Sequence, residues 1–203
     1  MAQPVFPTKG NLINTKKTLS LARNGYDLLD RKRSIIVREM MLLIDRAEEL
    51  QHNIDRYYAE AYLALQRANV AHGFIDRLAE SIPVEDGLAL SSRSVMGVEI
   101  PLLTLDPQPA ELSYGFIGTS MLVDEAYIKF GEVKRLTAEL AEVENSIYRL
   151  AYAVKKTQKR ANALRNIIIP RLTGDVKYIT ESLEEKEREE FSRLKVIKSK
   201  NPT

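Results

Sequence analysis

An apolar seam with a heptad period runs from Leu12 to Leu78. Eighteen of its twenty positions are apolar, and only Thr15 and Arg33 interrupt it. A chain that is 44% hydrophobic would place about nine apolar residues there by chance. A seam with a period of 3.5 residues keeps facing the same partner helix if the two helices form a left-handed supercoil. The pattern therefore predicts a first helix over about residues 10–81, and its seam alone would extend roughly 100 Å.

A second seam starts at Val133 and reaches Ile168, with ten of eleven positions apolar. Two such seams separated by a connector favour an antiparallel helical hairpin, with a second helix over about residues 119–197. The alternative is that each helix pairs with another copy of the chain. We predict an all-α fold: a single elongated domain over residues 1–203, built as a long antiparallel two-helix coiled coil.

The connector, residues 84–118, has a different composition. Pro83 should end the first helix, because its ring and missing N–H cannot continue the hydrogen-bond ladder. The best strand candidate is Val95–Leu105, which Gly97 and Pro101 interrupt. A short β-hairpin or edge pair is therefore more plausible than one strand. We expect a small irregular or β-hairpin module at the turn end of the helical hairpin.

Pro170 lies inside the second helical pattern, and an apolar stripe resumes beyond it. A proline there removes one backbone hydrogen bond and crowds the preceding turn, so we predict a kink at this residue. The resumed stripe consists of Leu172, Val176, Ile179 and Leu183.

Pairing Leu78 with Leu122 gives a hypothetical register in which the numbers of facing residues add up to about 200. Arg33 would then face Ile167. The basic residues of the two helices would meet in a positive collar. Lys16 and Lys17 would lie near the glutamates of segment 181–190.

Net charge is only +2, but the charges are unevenly distributed. No acidic residue occurs over Met1–Tyr26 or over Ala151–Gly174. A solvated helix face, a surface for an acidic protein partner, and a phosphate-binding surface all remain open interpretations of the basic residues. The candidate contact residues are Lys16, Lys17, Arg31, Lys32, Arg33, Arg38, Lys155, Lys156, Lys159, Arg160, Arg165 and Arg171.

The sequence offers no catalytic constellation. Cysteine is absent, so there is no thiol nucleophile or disulfide. There is no phosphate-binding G-x-x-x-x-G-K-[ST] motif, and His52 and His72 are too far apart on one helix to share a metal. We expect no catalytic residue, cofactor or metal. No run of eighteen apolar residues is present, so we expect no membrane insertion and a cytoplasmic location.

The chain resembles the D subunit, the central rotor shaft of V-type and archaeal or bacterial A-type rotary ATPases, over nearly its whole length. Each motif alone is weak, but their order on paired helices is specific. The motifs are Pro7-Thr8-Lys9 followed by Leu12; Leu19-x-x-Ala22-x-x-Gly25-x-x-Leu28-Leu29-x-x-Lys32-Arg33; Lys156-Thr157-x-Lys159-Arg160-x-Asn162-Ala163-Leu164; Ile169-Pro170; and Leu183-Glu184-Glu185-x-Glu187-Arg188-Glu189-Glu190 leading to Arg193-Leu194-Lys195.

The resemblance implies a non-catalytic subunit whose two chain ends enter a ring of alternating A and B subunits. It also implies contacts with the small F subunit and with a funnel-shaped stalk subunit that joins the shaft to the membrane ring. One departure is Arg165, where the family commonly has Glu, so we do not expect this chain to make a contact that depends on that carboxylate. A static coiled-coil tether or adaptor would show the same seams. Nucleic-acid binding through the collar is a third class, for which steep salt dependence would be the signature.

Overall fold

The computed structural model describes residues 6–82, 84, 86–105, 114–115 and 119–200. The described chain is mainly helical, with one small antiparallel sheet, which confirms the predicted all-α class with a small β module. In order, the elements are α1 (Lys9–His72), α2 (Asp76–Ser81), β1 (Leu88–Val95), β2 (Val98–Leu105), α3 (Met121–Ala163), a π-helical turn (Leu164–Ile168) and α4 (Ile169–Lys200).

The chain divides into two compact units. We call Met1–Ser34 together with Lys155–Thr203 the terminal unit, and Ile35–Val154 the central unit. Each contains a segment of α1 and a segment of the second helical region. The single elongated domain remains a prediction.

The helix α1 is capped at its start by Thr8 and ends at a glycine. Thr8 Oγ1 accepts the backbone N–H of Asn11 at 3.2 Å, which satisfies one free donor of the first turn. At the other end, Gly73 has φ +78°, a left-handed conformation that glycine adopts without strain and that stops a helix. The expectation of one helix to about Ser81 is therefore wrong, because Gly73 separates α1 from α2. Pro83, the expected stop, lies outside the described residues.

The strands β1 and β2 form an antiparallel hairpin in which Val95 pairs with Val98 and Leu88 with Leu105. The connecting residues Met96 and Gly97 both have positive φ, 51° and 72°, as a two-residue type I′ turn requires. The predicted strand candidate Val95–Leu105 thus contains β2, and Gly97 belongs to the turn. The strand β1 was not predicted from the sequence.

The outer edge of β2 is attached to α3 within the central unit. The register turns the nitrogen of Pro101 away from β1, so the proline removes no hydrogen bond from the ladder. On the same edge, the N–H of Leu103 donates to Glu142 Oε2 at 2.7 Å, and Arg149 Nη1 donates to the Glu99 carbonyl at 3.2 Å. Glu142 and Arg149 are one heptad apart and so lie on the same face of α3. From that face they reach the N–H of Leu103 and the carbonyl of Glu99 on the outer edge of β2.

The tip of the β-hairpin enters one of the two apolar clusters of the central unit. Ile100 of β2 is buried together with Ile36 and Leu150, and Val95 and Val98 pack against this cluster. The β module therefore starts in the connector, as predicted, but folds back along α1 and α3 instead of remaining at the turn. Because both flanking helices contribute, the cluster joins three elements in one core.

The second cluster lies in the central unit where α1 ends and α3 begins. Ala68, Tyr114 and Val123 are buried there, and the Tyr114 hydroxyl donates to Asp124 Oδ1 at 2.5 Å. Burial, followed by that hydrogen bond, raises the pKa of Tyr114, so the phenol stays neutral and remains a donor. His72 Nε2 lies 2.5 Å from Ser120 Oγ, which joins the end of α1 to the residue preceding α3.

The helix register differs from the predicted one. In the central unit His72 meets Ser120, and in the terminal unit Leu164 Cδ1 lies 3.9 Å from the position that a Cβ on Gly25 would take. The numbers of facing residues therefore add up to about 190, whereas the predicted sum is about 200. The prediction was wrong because it extended α1 to Leu78 and paired that residue with Leu122, but α1 ends at His72.

Pairs of introduced cysteines should distinguish the two registers, because the chain has no cysteine of its own. We expect Gly25→Cys with Leu164→Cys to form an intramolecular disulfide or short crosslink under mild oxidation. Gly25→Cys with Asp175→Cys, the pair that the predicted register would bring together, should stay reduced. Non-reducing electrophoresis of the monomer measures both, and crosslinking of only the second pair would contradict the observed register.

Candidate functional site

Eleven of the twelve predicted contact residues lie in the terminal unit, and Arg38 lies in the central unit. All except Lys32 and Arg33, which are half-buried, are exposed. The candidate site is the surface that α1, the end of α3, the π-helical turn and the start of α4 present within the terminal unit. We call it the basic surface.

Arg33 links the basic segments of α1 and α3. Its guanidinium donates to Gln158 Oε1 and pairs with Asp30 at 2.8 Å. The Gln158 amide in turn donates to Asn162 Oδ1 at 2.7 Å. The predicted contact of Arg33 with Ile167 is therefore wrong, since the shifted register brings Gln158 opposite it.

Most of the basic surface lacks neighbouring carboxylates. Among the described residues, no ion pair involves Lys155, Lys156, Lys159, Arg160 or Arg165. Arg171 reaches only its own helix, where Nε lies 3.9 Å from Asp175 Oδ2 at an exposed site. Unpaired cations on one surface attract an acidic partner over roughly a Debye length, about 8 Å at physiological salt.

The acidic segment of α4 meets Lys9 and not the two lysines that the sequence analysis placed there. Lys9 Nζ lies 3.0 Å from Glu187 Oε1, and this hydrogen bond raises the pKa of Lys9. Lys16 and Lys17 are exposed and make no ion pair in the described part of the chain. The shifted register explains this correction too, because it moves the segment opposite the glutamates toward the start of α1.

A π-helical turn occurs directly before Pro170, where the sequence predicted a kink. The N–H of Ile169 donates to the Leu164 carbonyl, five residues back, instead of the usual four. Pro170 has no N–H, and its ring would crowd the carbonyl of Asn166 in a regular α-helix. The wider turn accommodates the ring, and helix continues on both sides.

The π-helical turn shifts the apolar seam by one residue. The sequence pattern placed Ile168 on the seam, yet its side chain is 41% exposed, whereas Ile169 is half-buried. The seam therefore passes from Leu164 to Ile169 and continues to the fully buried Ile179. Four residues separate two inward positions here, where the heptad pattern has two or three.

Apolar side chains accompany the cations on the surface of the terminal unit. Leu21 and Leu28, one heptad apart on α1, are exposed, as is Ile167 in the π-helical turn at 66%. None of these residues was predicted as a contact residue from the sequence, and neither were Gln158 and Asn162. The apolar character of Leu21, Leu28 and Ile167 was readable from the sequence, but their exposure depends on the register and on the extra residue of the turn.

The described residues form no cluster of side chains suited to binding a metal ion. They contain no group of three or more histidine, aspartate or glutamate side chains that could hold a metal ion. None of the described helices is long and apolar enough to cross a membrane. The exposed cations of the basic surface have the charge and reach to pair with anionic groups.

Comparison with known proteins identifies close relatives. A family model for the D subunit of ATP synthase matches residues 11–199. The chain is 45% identical over 198 residues to the V-type ATP synthase D subunit of Thermotoga neapolitana, covering 97% of this chain and 98% of that protein. It is 38% identical over 200 residues to the A-type ATP synthase D subunit of Pyrococcus furiosus, covering 96% of this chain and 94% of that protein. Identity to the A-type ATP synthase D subunit of Methanosphaera stadtmanae is 36% over 199 residues, covering 96% of this chain and 93% of that protein.

The contact between Arg33 and Gln158 should contribute measurably to stability. We expect a double-mutant cycle of Arg33→Ala and Gln158→Ala to give a coupling of about 1 kcal/mol in the free energy of unfolding, as for a half-exposed charged hydrogen bond. Urea unfolding followed by circular dichroism measures it. A cycle of Lys16→Ala and Gln158→Ala serves as the control and should be additive. Additivity in both cycles would show that Arg33 and Gln158 do not interact.

Proposed function

The chain belongs to the family of ATP synthase D subunits, and from that premise we propose that it is the central rotor shaft of a V-type or A-type ATPase. In this role it couples ATP hydrolysis or synthesis in the catalytic ring of A and B subunits to ion translocation through a membrane ring. The names of its relatives identify them as subunits of V-type and A-type ATP synthases. The rotor role is our inference.

The observation that carries this proposal is the basic surface on paired helices. A shaft that turns inside a ring needs a stiff element and a surface that meets the ring without locking to one position. Long helices joined by an apolar seam supply stiffness. Exposed cations on flexible side chains supply attraction that depends little on exact geometry, because charges act over several ångströms.

The terminal unit is the part that enters the ring in this proposal. It contains the beginning of α1 and the end of α4, which the pair Lys9–Glu187 joins at 3.0 Å. The proposed ring contacts are the eleven basic residues located there, together with Arg38. Binding and turnover of ATP then belong to the A and B subunits, and this chain contributes no catalytic residue and binds no cofactor.

The central unit is the proposed binding region for the remaining stalk subunits. It exposes large apolar side chains on both helices, among them Met41, Leu42, Tyr148 and Tyr152. Aromatic and methionine side chains are enriched in protein interfaces, which makes these residues candidates for binding the small F subunit. A funnel-shaped subunit would link the shaft to the membrane ring, on the cytoplasmic side of the membrane.

Reconstitution tests the proposal directly. The tagged chain is mixed with A and B subunits from the same source, and the complex is isolated for native mass measurement and ATP hydrolysis. We expect one copy of the chain for each ring of three A and three B subunits, and a hydrolysis rate that changes when the chain is added. A monomer or self-dimer that ignores the ring would contradict the proposal and favour a static tether or adaptor.

Neutralising part of the basic surface should slow assembly with the ring. We expect Lys155→Gln with Lys156→Gln to lower the association rate several-fold at low salt, because fewer cations steer the encounter. The difference should vanish near 1 M salt, where the Debye length falls to about 3 Å.

Stopped-flow or surface-binding kinetics measure this rate. The matched control is Arg67→Gln with Arg135→Gln, which removes the same charge from the central unit and should leave the rate unchanged. An equal loss in both variants would mean that only net charge matters. No loss in either would remove Lys155 and Lys156 from the contact.

A further inference from the structure

We propose that the π-helical turn Leu164–Ile168 is an interaction element, in which Ile167 and Ile168 seat against an apolar, carboxylate-bearing surface of the A/B ring. This inference rests on the proposed function and assigns a specific contact within it. The turn would contribute through its outward side chains, while the seam on either side holds the helix in place.

The core of the terminal unit uses only one side chain of the turn, that of Leu164. None of the five residues Leu164–Ile168 is fully buried, and only Leu164 faces inward, toward Gly25. The inward side chains on either side, such as Ala161 and Ile179, are buried in ordinary helix. A helix with one residue fewer would join the same seam positions with the normal spacing of four, so packing alone does not explain the extra residue.

The extra residue enlarges the outward surface. Four residues, 165–168, lie between the inward positions Leu164 and Ile169, and all four are exposed. Ile167 is 66% exposed and Ile168 is 41% exposed, although β-branched apolar side chains favour burial. Exposed apolar side chains that are rimmed by polar or charged residues are a feature of interaction sites.

The surrounding charges define the chemistry of the partner. Arg165 precedes the two isoleucines and Arg171 follows them, and no acidic residue occurs between Ala151 and Gly174. An apolar centre with a cationic rim fits a partner that offers an apolar depression edged by carboxylates. A basic or purely polar partner would leave Arg165 without a carboxylate and the isoleucines in water.

The first test replaces one outward side chain without altering the backbone. Ile167→Ser is compared with Ile128→Ser, an isoleucine of α3 in the central unit that is 55% exposed. Binding to a ring reconstituted from A and B subunits alone is measured by titration, and hydrolysis is followed in parallel. We expect Ile167→Ser to weaken binding about tenfold, as a contact residue does, and Ile128→Ser to bind as the unchanged chain does.

The second test removes the π-helical turn while keeping the seam. Deleting Ile167 and replacing Pro170 with Ala leaves Leu164 and the former Ile169 four positions apart, as a regular helix requires. We expect helix content and melting temperature to be equal to or above those of the unchanged chain, and ring binding to fall as in Ile167→Ser. A lower melting temperature would show that the turn serves packing, which would overturn the inference.

The outcomes separate this inference from the proposed function. If the unchanged chain does not bind the ring, the proposed function fails. If it binds and Ile167→Ser binds and stimulates hydrolysis equally well, the function stands and this inference is wrong. If Ile167→Ser instead abolishes a self-dimer of the unchanged chain, the partner of the turn is a second copy, which also overturns the proposal.

Discussion

The fold depends on burying one apolar stripe along each long helix, because these stripes supply most of the core. In the central unit, Ala61, Ala64 and Ala68 are almost completely buried on α1, and small side chains at this spacing let a neighbouring helix approach closely. Larger residues, Ile36 and Leu150, fill the level where Ile100 of the β-hairpin joins the core. In the terminal unit Ile179 is completely buried, on the part of the seam that follows the wider turn before Pro170.

The sequence predicted the features that depend on the apolar period alone. The predictions were wrong where a single residue determines the end of a helix or the register. The seams and the β2 strand were readable because apolar spacing is a property of many residues. The end of α1 depended on the backbone of Gly73, whose φ of +78° cannot be read from a periodic pattern that continues to Leu78. The register depended on that end, so the predicted partners of Arg33 and of Lys16 and Lys17 were wrong. The strand β1 contains three serines and only modest alternation, and it is defined mainly by its pairing with β2.

The candidate site combines predicted and unpredicted parts. The basic residues were identified from the absence of nearby acids, which needs no structure. The role of Pro170 was anticipated as a kink, and the structure shows a π-helical turn that transfers the seam from Ile168 to Ile169. Such a local change follows from the missing N–H and the ring of proline, but a periodic pattern does not show which residue becomes the extra one. The seam therefore supplies the packing, and in our proposal the residues that the seam leaves exposed supply recognition.

The most direct test of the rotor role is to observe rotation. Val70 is 88% exposed in the central unit, and Val70→Cys would be the only thiol of this chain. A probe attached there, on a complex whose A/B ring is fixed to a surface, can be followed in a microscope during ATP hydrolysis. We predict continuous rotation in one direction that starts when ATP is added and stops when it is exhausted. A probe that stays in place while the same complexes hydrolyse ATP would contradict the account and identify the chain as a static element.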